Sequence, residues 1–126
     1  MIKFSKKTRK DFILYKVNLP YFMEYFKQIS SEWYVERGNK NEVKGRIDKF
    51  AEYVKSGKPI TASDFNFSMN KDFSLKLNCI DGRHRMAYFI EKGIKQVYIQ
   101  IPKVQKSLFD GVIKELLPNY IWFSKK

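Results

Sequence analysis

A chain of 126 residues, 44% hydrophobic and 17% aromatic, can form one packed core, burying roughly two-thirds of its unfolded surface at this size. That composition excludes intrinsic disorder, which is marked by low hydrophobicity and few aromatics. The net charge of +12 admits an anionic partner, but twenty of the 25 basic residues are scattered lysines and only five are arginines, so a generally solvated lysine surface accounts for it equally well.

The densest basic cluster comes first: Lys3, Lys6, Lys7, Arg9 and Lys10 form an arm over residues 1–10 that either touches nucleic acid or frays. No small-residue cleavage site follows it, and no apolar run approaches a membrane span, so a soluble, cytoplasmic protein is expected. Residues 11–17 are rich in β-branched and aromatic types and predict a strand. Pro20 suits a helix start, and Phe22, Phe26 and Ile29 make one buried stripe, predicting a helix over 20–33.

Residues 36–42 are polar and read as a loop, with Asn41 as a cap for the next helix. Val43, Ile47, Phe50 and Val54 give that helix its apolar stripe; Gly57 and Pro59 end it. Two alternating runs, 64–68 and 73–78, joined by Met69-Asn70-Lys71-Asp72, predict an antiparallel hairpin. Met86, Phe89 and Ile90 then mark a helix ending at Gly93, and 96–101 is a strand closed by Pro102. Leu108, Val112, Ile113 and Leu116 give a last helix that Pro118 terminates. The apolar tail Tyr120-Ile121-Trp122-Phe123, within 118–126, either docks on the body or meets a protein partner. The order strand, helix, helix, strand, strand, helix, strand, helix predicts an α+β fold with a small mixed sheet in a single domain.

The second hairpin strand runs into Cys79-Ile80-Asp81-Gly82-Arg83-His84-Arg85-Met86, where a glycine turn opens a helix. Cys79 is the chain's only cysteine, which excludes an intramolecular disulfide and a cysteine-based zinc site. A helix start offers unpaired N–H groups and the positive end of the helix dipole, and Gly82 lets a phosphate approach the backbone. Arg83 and Arg85 can clamp oxygens, and His84 can donate or shuttle a proton. His84 and Arg85 are the expected pair on one phosphate, with Arg83 on a flank, because neighbours two apart on a helix diverge. Asp81 can hold Mg²⁺, act as a general base, or simply cap the helix. The plainer alternative is a surface helix whose basic residues are only solvated.

The run Cys79-Ile80-Asp81-Gly82-Arg83-His84-Arg85-Met86-Ala87-Tyr88, followed by Lys92-Gly93-Ile94-Lys95-Gln96-Val97-Tyr98-Ile99, resembles the signature of the ParB/sulfiredoxin superfamily. There an apolar strand leads through a Gly-x-x-Arg turn into a helix and a further strand. The resemblance implies a core over about 42–117, with the helix near 20–33 as an insertion. It also implies a nucleotide: CTP as in ParB partition proteins, ATP as in sulfiredoxin, or ADP as in a free-serine kinase with a related Asp-Gly-His-His-Arg motif. On these terms Gly82, His84 and Arg85 are phosphate ligands, and Asp81 is a candidate base or Mg²⁺ partner. Sulfiredoxins place their reactive cysteine where this chain has Arg83, and Cys79 lies four residues too early, so sulfinic-acid reduction is not expected. ParB partition proteins carry a helix-turn-helix module after this domain, whereas here one further helix follows, so a centromere-type DNA clamp is not expected unless a partner supplies that module. Upstream, Glu42 and Arg46 stand where related proteins bring a second polar cluster: either they form an i,i+4 surface ion pair, or Glu42 orients substrate or metal and Arg46 reaches a phosphate.

Three functions follow as expectations. One is a nucleotide-binding domain with Mg²⁺, with hydrolysis or phosphoryl transfer as its chemistry. Another is a DNA- or RNA-binding protein or nuclease, and the third is a non-catalytic interaction protein.

Overall fold

A computed structural model describes residues 2–30, 32–116 and 123–125, with side chains as far as Val112. Strand β1 (Phe12–Asn18) passes directly into helix α1 (Leu19–Ile29), because Asn18 caps the helix by accepting from the Tyr21 N–H and Pro20 needs no donor in the first turn. Helix α1 stops four residues short of the sequence expectation. The Ser30 carbonyl accepts from both the Trp33 and Tyr34 N–H groups, which turns the chain.

After the loop come α2 (Arg46–Lys55), β2 (Ser63–Met69), β3 (Leu75–Asp81), α3 (Arg83–Glu91), β4 (Gln96–Pro102), a short 3₁₀ turn, α4 (Lys106–Leu116) and β5 (Phe123–Lys125). This is the expected α+β order with a terminal strand added. The sheet order is β3-β2-β4-β1-β5, antiparallel except for the β2–β4 pair, so the sheet is mixed. Of the apolar tail, Phe123 begins β5, which pairs with β1; Tyr120, Ile121 and Trp122 lie outside the described residues.

Alternation along the strands sends side chains to both faces, and helices cover each. On one face Phe65 and Phe67 of β2 and Tyr15 of β1 meet Phe22 and Phe26 of α1 and Phe109 of α4. On the other, Tyr98 of β4 meets Phe4, which packs on Phe89 of α3, and Phe50 of α2 packs on Tyr88 and Phe89. The aromatic content is therefore spent on two helix–sheet interfaces of one core.

Several apolar assignments differ from the sequence reading. Val43 is exposed and precedes α2, because Gly45 at φ 88° sets the helix start at Arg46. Phe73 sits at the hairpin turn with φ 66° and is 81% exposed, since the Asp72 carboxylate ties back to Ser74 and ends the strand pairing. Ile90 faces outward, as α3 uses Met86 and Phe89 for the core. Among the described side chains of α4 the buried one is Phe109, while Leu108 is exposed; those of Ile113 and Leu116 lie outside the described residues.

The basic arm is anchored. Phe4 forms a parallel bridge with Ile60, and Arg9 donates through its backbone to the buried Gln100 side chain and pairs with the buried carboxylate of Asp64. No helix among the described residues is long and apolar enough to cross a membrane.

Candidate functional site: a basic cleft between α2 and the Gly82 turn

At the end of β3 the pairing with β2 slips, so that Asp81 stands opposite Asp64 and Cys79 opposite Phe65, leaving Ile80 as the extra residue. The chain then turns at Gly82 with φ 98°, a conformation in which a side chain is strained. A Cβ at this position would overlap Ser63 Oγ and stand 2.9 Å from Ser63 Cβ, and Ser63 Oγ donates to the Gly82 carbonyl at 3.2 Å. Glycine is therefore required here for close packing against β2 as well as for the turn. The first bond within α3 runs from the Met86 N–H to the Gly82 carbonyl at 3.0 Å. The N–H groups of Arg83, His84 and Arg85 precede it and belong to the set that a helix leaves unpaired.

The turn forms one wall of a cleft of about 590 Å³. The facing wall is the Arg46, Lys49, Phe50 and Tyr53 side of α2, and Trp33 adds to the lining. Four cationic side chains, Arg46, Lys49, Arg83 and Arg85, line it against one carboxylate, Asp81. The Phe50 and Tyr53 rings lie nearly parallel, 6.2 Å apart. Trp33 is 38% exposed and has the Arg83 guanidinium and the Lys76 ammonium each 5.7 Å from its ring centroid. An adjoining cavity of about 350 Å³ shares Phe50, Tyr53, Asp81 and Arg85 and adds Ile60 and Thr61.

Each residue singled out in the sequence has a definite place. Arg85 donates to the Thr61 carbonyl at 2.5 Å and to Asp81 Oδ2 at 3.2 Å, so it braces the turn against the β2 approach while lining the cleft. The side chain of Asp81 is 74% exposed and pairs with Arg85. His84 is buried, and its Nε2 accepts from the Val43 N–H at 2.8 Å. Burial holds its pKa below the usual value, with Arg83 and Arg46 pushing the same way and Glu42 opposing them. The imidazole is therefore neutral, with its proton on Nδ1. Arg46 opens α2 and lines the cleft.

Glu42 does not join that lining: its Oε1 accepts from the Gly38 N–H at 2.8 Å within the loop. The expected i,i+4 helix pair with Arg46 does not arise either, because Glu42 precedes the helix that Arg46 begins. Cys79 is buried, and desolvation pushes its thiol pKa up to about 12. A thiol so held is a poor nucleophile.

Sequence reasoning missed Trp33, Lys49 and Tyr53. Arg46, Lys49, Phe50 and Tyr53 follow one another at spacings of three, one and three, which puts them on one side of a helix, so that stripe was legible in principle. Nothing local marked Trp33. Among the described residues there is no cluster of three or more histidine, cysteine, aspartate or glutamate side chains able to hold a metal by themselves. An Mg²⁺ ion bound mainly through phosphate oxygens and water needs only one or two carboxylates, and Asp81 fits that requirement.

No family model matches the chain, and no curated protein matches it. Among solved structures it is similar to the Oncogenic Suppression Activity Protein, described as a plasmid fertility inhibition factor and solved as a gold(I) cyanide derivative. The TM-score is 0.63 at 8% identity, over 85% of this chain and 58% of that one. The chain thus spans less than two-thirds of that neighbour, and the likeness is one of fold.

Proposed function

We propose that the cleft binds the phosphates of a nucleotide and that the chain is a ParB/sulfiredoxin-like nucleotide-binding protein. The observation that carries this reading is the convergence of Arg46 and Lys49 from α2 with Arg83 and the α3 start across one cleft. Guanidinium groups and helix-start N–H groups suit phosphate oxygens. The Phe50, Tyr53 and Trp33 rings suit a base, and about 590 Å³ lies within the range of small-molecule sites, roughly 300–1,000 Å³.

ATP, ADP and CTP are the candidate ligands, with Mg²⁺ held by Asp81 and the phosphates. When bound, Mg²⁺ would neutralise phosphate charge, which is the main requirement of hydrolysis or phosphoryl transfer. Arg46, Lys49 and Arg83 would orient the phosphate chain, and Gly82 would keep the backbone close to it. Arg85 would preserve the shape of the turn through Thr61.

Calorimetric and thermal-shift titration with ATP, ADP, CTP and GTP in the presence of Mg²⁺ tests the proposal. Binding is expected, with about tenfold weaker affinity in Arg46→Ala and in Arg83→Ala, the size of a lost charge-assisted contact. No binding at millimolar nucleotide would remove it.

A second reading, single-stranded nucleic acid on the same surface, is favoured by Trp33, which has the Arg83 guanidinium and the Glu32-paired Lys76 ammonium near its ring beside the cleft. Here a backbone phosphate would occupy the turn, and nuclease chemistry would be sought with Asp81 as the metal partner. Failure to shift DNA or RNA at low ionic strength would sink it.

A further inference from the structure

We infer that His84 is a positioning residue that acts through the Val43 N–H to hold the start of α2, and with it Arg46, at a set distance from the Gly82 turn. The chain of contacts is short. His84 Nε2 accepts from the Val43 N–H at 2.8 Å, and the Val43 carbonyl accepts from the Arg46 N–H at 3.1 Å. The two sides of one residue thus link the first turn of α3 to the first residue of α2, the elements that form the facing walls of the cleft.

The latch is needed because the approach to α2 has no cap of its own. Gly45 stands at the N-cap position with φ 88° and no side-chain hydrogen bond, so the helix start that its backbone turn sets has no side-chain cap to hold it. The preceding loop is ordered from elsewhere. Asn39 and Asn41 donate to the Tyr34 carbonyl, Glu42 accepts from Gly38, and Arg37 bridges Glu91 of α3 and Asp48 of α2. Arg37 ties the helices on the exposed side, whereas His84 ties them at the buried end of the cleft.

This assignment takes Nε2 of His84, a residue of the cleft lining, out of the proton-shuttle role that its motif suggests and leaves Nδ1–H as its one donor. A shuttle needs a nitrogen that takes up and releases a proton, but Nε2 already accepts from a backbone N–H. The charged groups facing the ring are Arg83 on α3, Arg46 on α2 and Glu42 in the loop. Two cations against one carboxylate, together with burial, keep the ring neutral and the acceptor available.

As a statement about the cleft the inference rests on the phosphate-binding reading, but its structural half is tested without ligand. Amide hydrogen exchange followed by NMR on the free protein is the first arm. In His84→Ala the Val43 and Arg46 amides are expected to exchange at least about tenfold faster than in the wild type, while Phe65 and Ile99 in the sheet stay protected. His84→Gln puts an acceptor oxygen within reach of Val43 and is expected to restore protection. Unchanged Val43 exchange in His84→Ala, or equal loss of protection in the two variants, would overturn the latch. The second arm is calorimetry with ATP and Mg²⁺, in which His84→Gln should bind more tightly than His84→Ala. Equal weakening in both, with exchange rescued only by Gln, would return His84 to the ligand set and overturn the positioning role. Absence of ATP binding to the wild type would bear on the phosphate reading alone, leaving the exchange result to decide the latch.

Discussion

Gly82 carries two constraints at once, a left-handed φ of 98° and contact with Ser63. Gly82→Ala is therefore expected to destabilise the protein by about 2–3 kcal/mol, the sum of backbone strain and displaced packing, measured by denaturant or thermal unfolding. Unfolding within about 0.5 kcal/mol of the wild type would show that the turn relaxes freely. His84 makes a separate, pH-dependent contribution. Its folded pKa lies below the usual 6.5, so the unfolded chain binds the proton more readily. This stability is fully present above about pH 6.5 and is lost as pH falls toward the lower folded value. Thermal unfolding followed from pH 7.5 to 5.5 should show a decline on acidification that is shallower in His84→Gln, whose amide does not titrate. An equal slope in both proteins would mean that other groups dominate that window.

Among the elements, the N-terminal arm departs furthest from what its composition suggests. Five basic residues in the first ten read as an arm that touches nucleic acid or frays, yet Arg9 pairs with Asp64, whose side chain is 3% exposed. A carboxylate buried on β2 needs a partner, and the arm supplies it while Phe4 packs on Phe89 and Tyr98. Arg9→Ala is expected to cost about 2 kcal/mol, close to a charge-assisted hydrogen bond, because the Arg9 side chain itself is 60% exposed. Combined with Asp64→Asn in a double-mutant cycle, it should show a coupling of about 1–2 kcal/mol; strictly additive unfolding energies would mean that the pair contributes nothing. Helix α2 gives a complementary case. The apolar spacing of Val43, Ile47, Phe50 and Val54 suggested one unbroken stripe, but Gly45 and the bond from Val43 to His84 take residue 43 out of the helix. A local period cannot register a partner forty-one positions away.

At the scale of the molecule, a charge of +12 over 126 residues surrounds the cleft with positive potential. Nucleotide affinity is accordingly expected to fall several-fold between about 0.05 and 0.5 M salt, as screening shortens to a few ångströms. Salt-independent titrations would place the ligand away from Arg46, Lys49 and Arg83. The order of strands and helices from β1 to α4, the α+β class and the glycine turn into α3 were legible from the sequence alone, because periodicity, proline and glycine placement, and strand composition are local properties; the terminal strand β5 was not. The sheet order β3-β2-β4-β1-β5, the burial of Phe109 in place of Leu108, and the anchoring of Arg9 by Asp64 depend on partners far apart in the chain, so only the tertiary structure decided them. The same division runs through the site. Asp81-Gly82-Arg83-His84-Arg85 announced a helix start rich in donors, and packing then directed those donors: Arg85 to Thr61, His84 to Val43, and Arg83 to Trp33 beside the cleft faced by Arg46 and Lys49. A motif specifies which groups are present; the surfaces that close around it determine which remain available to a ligand.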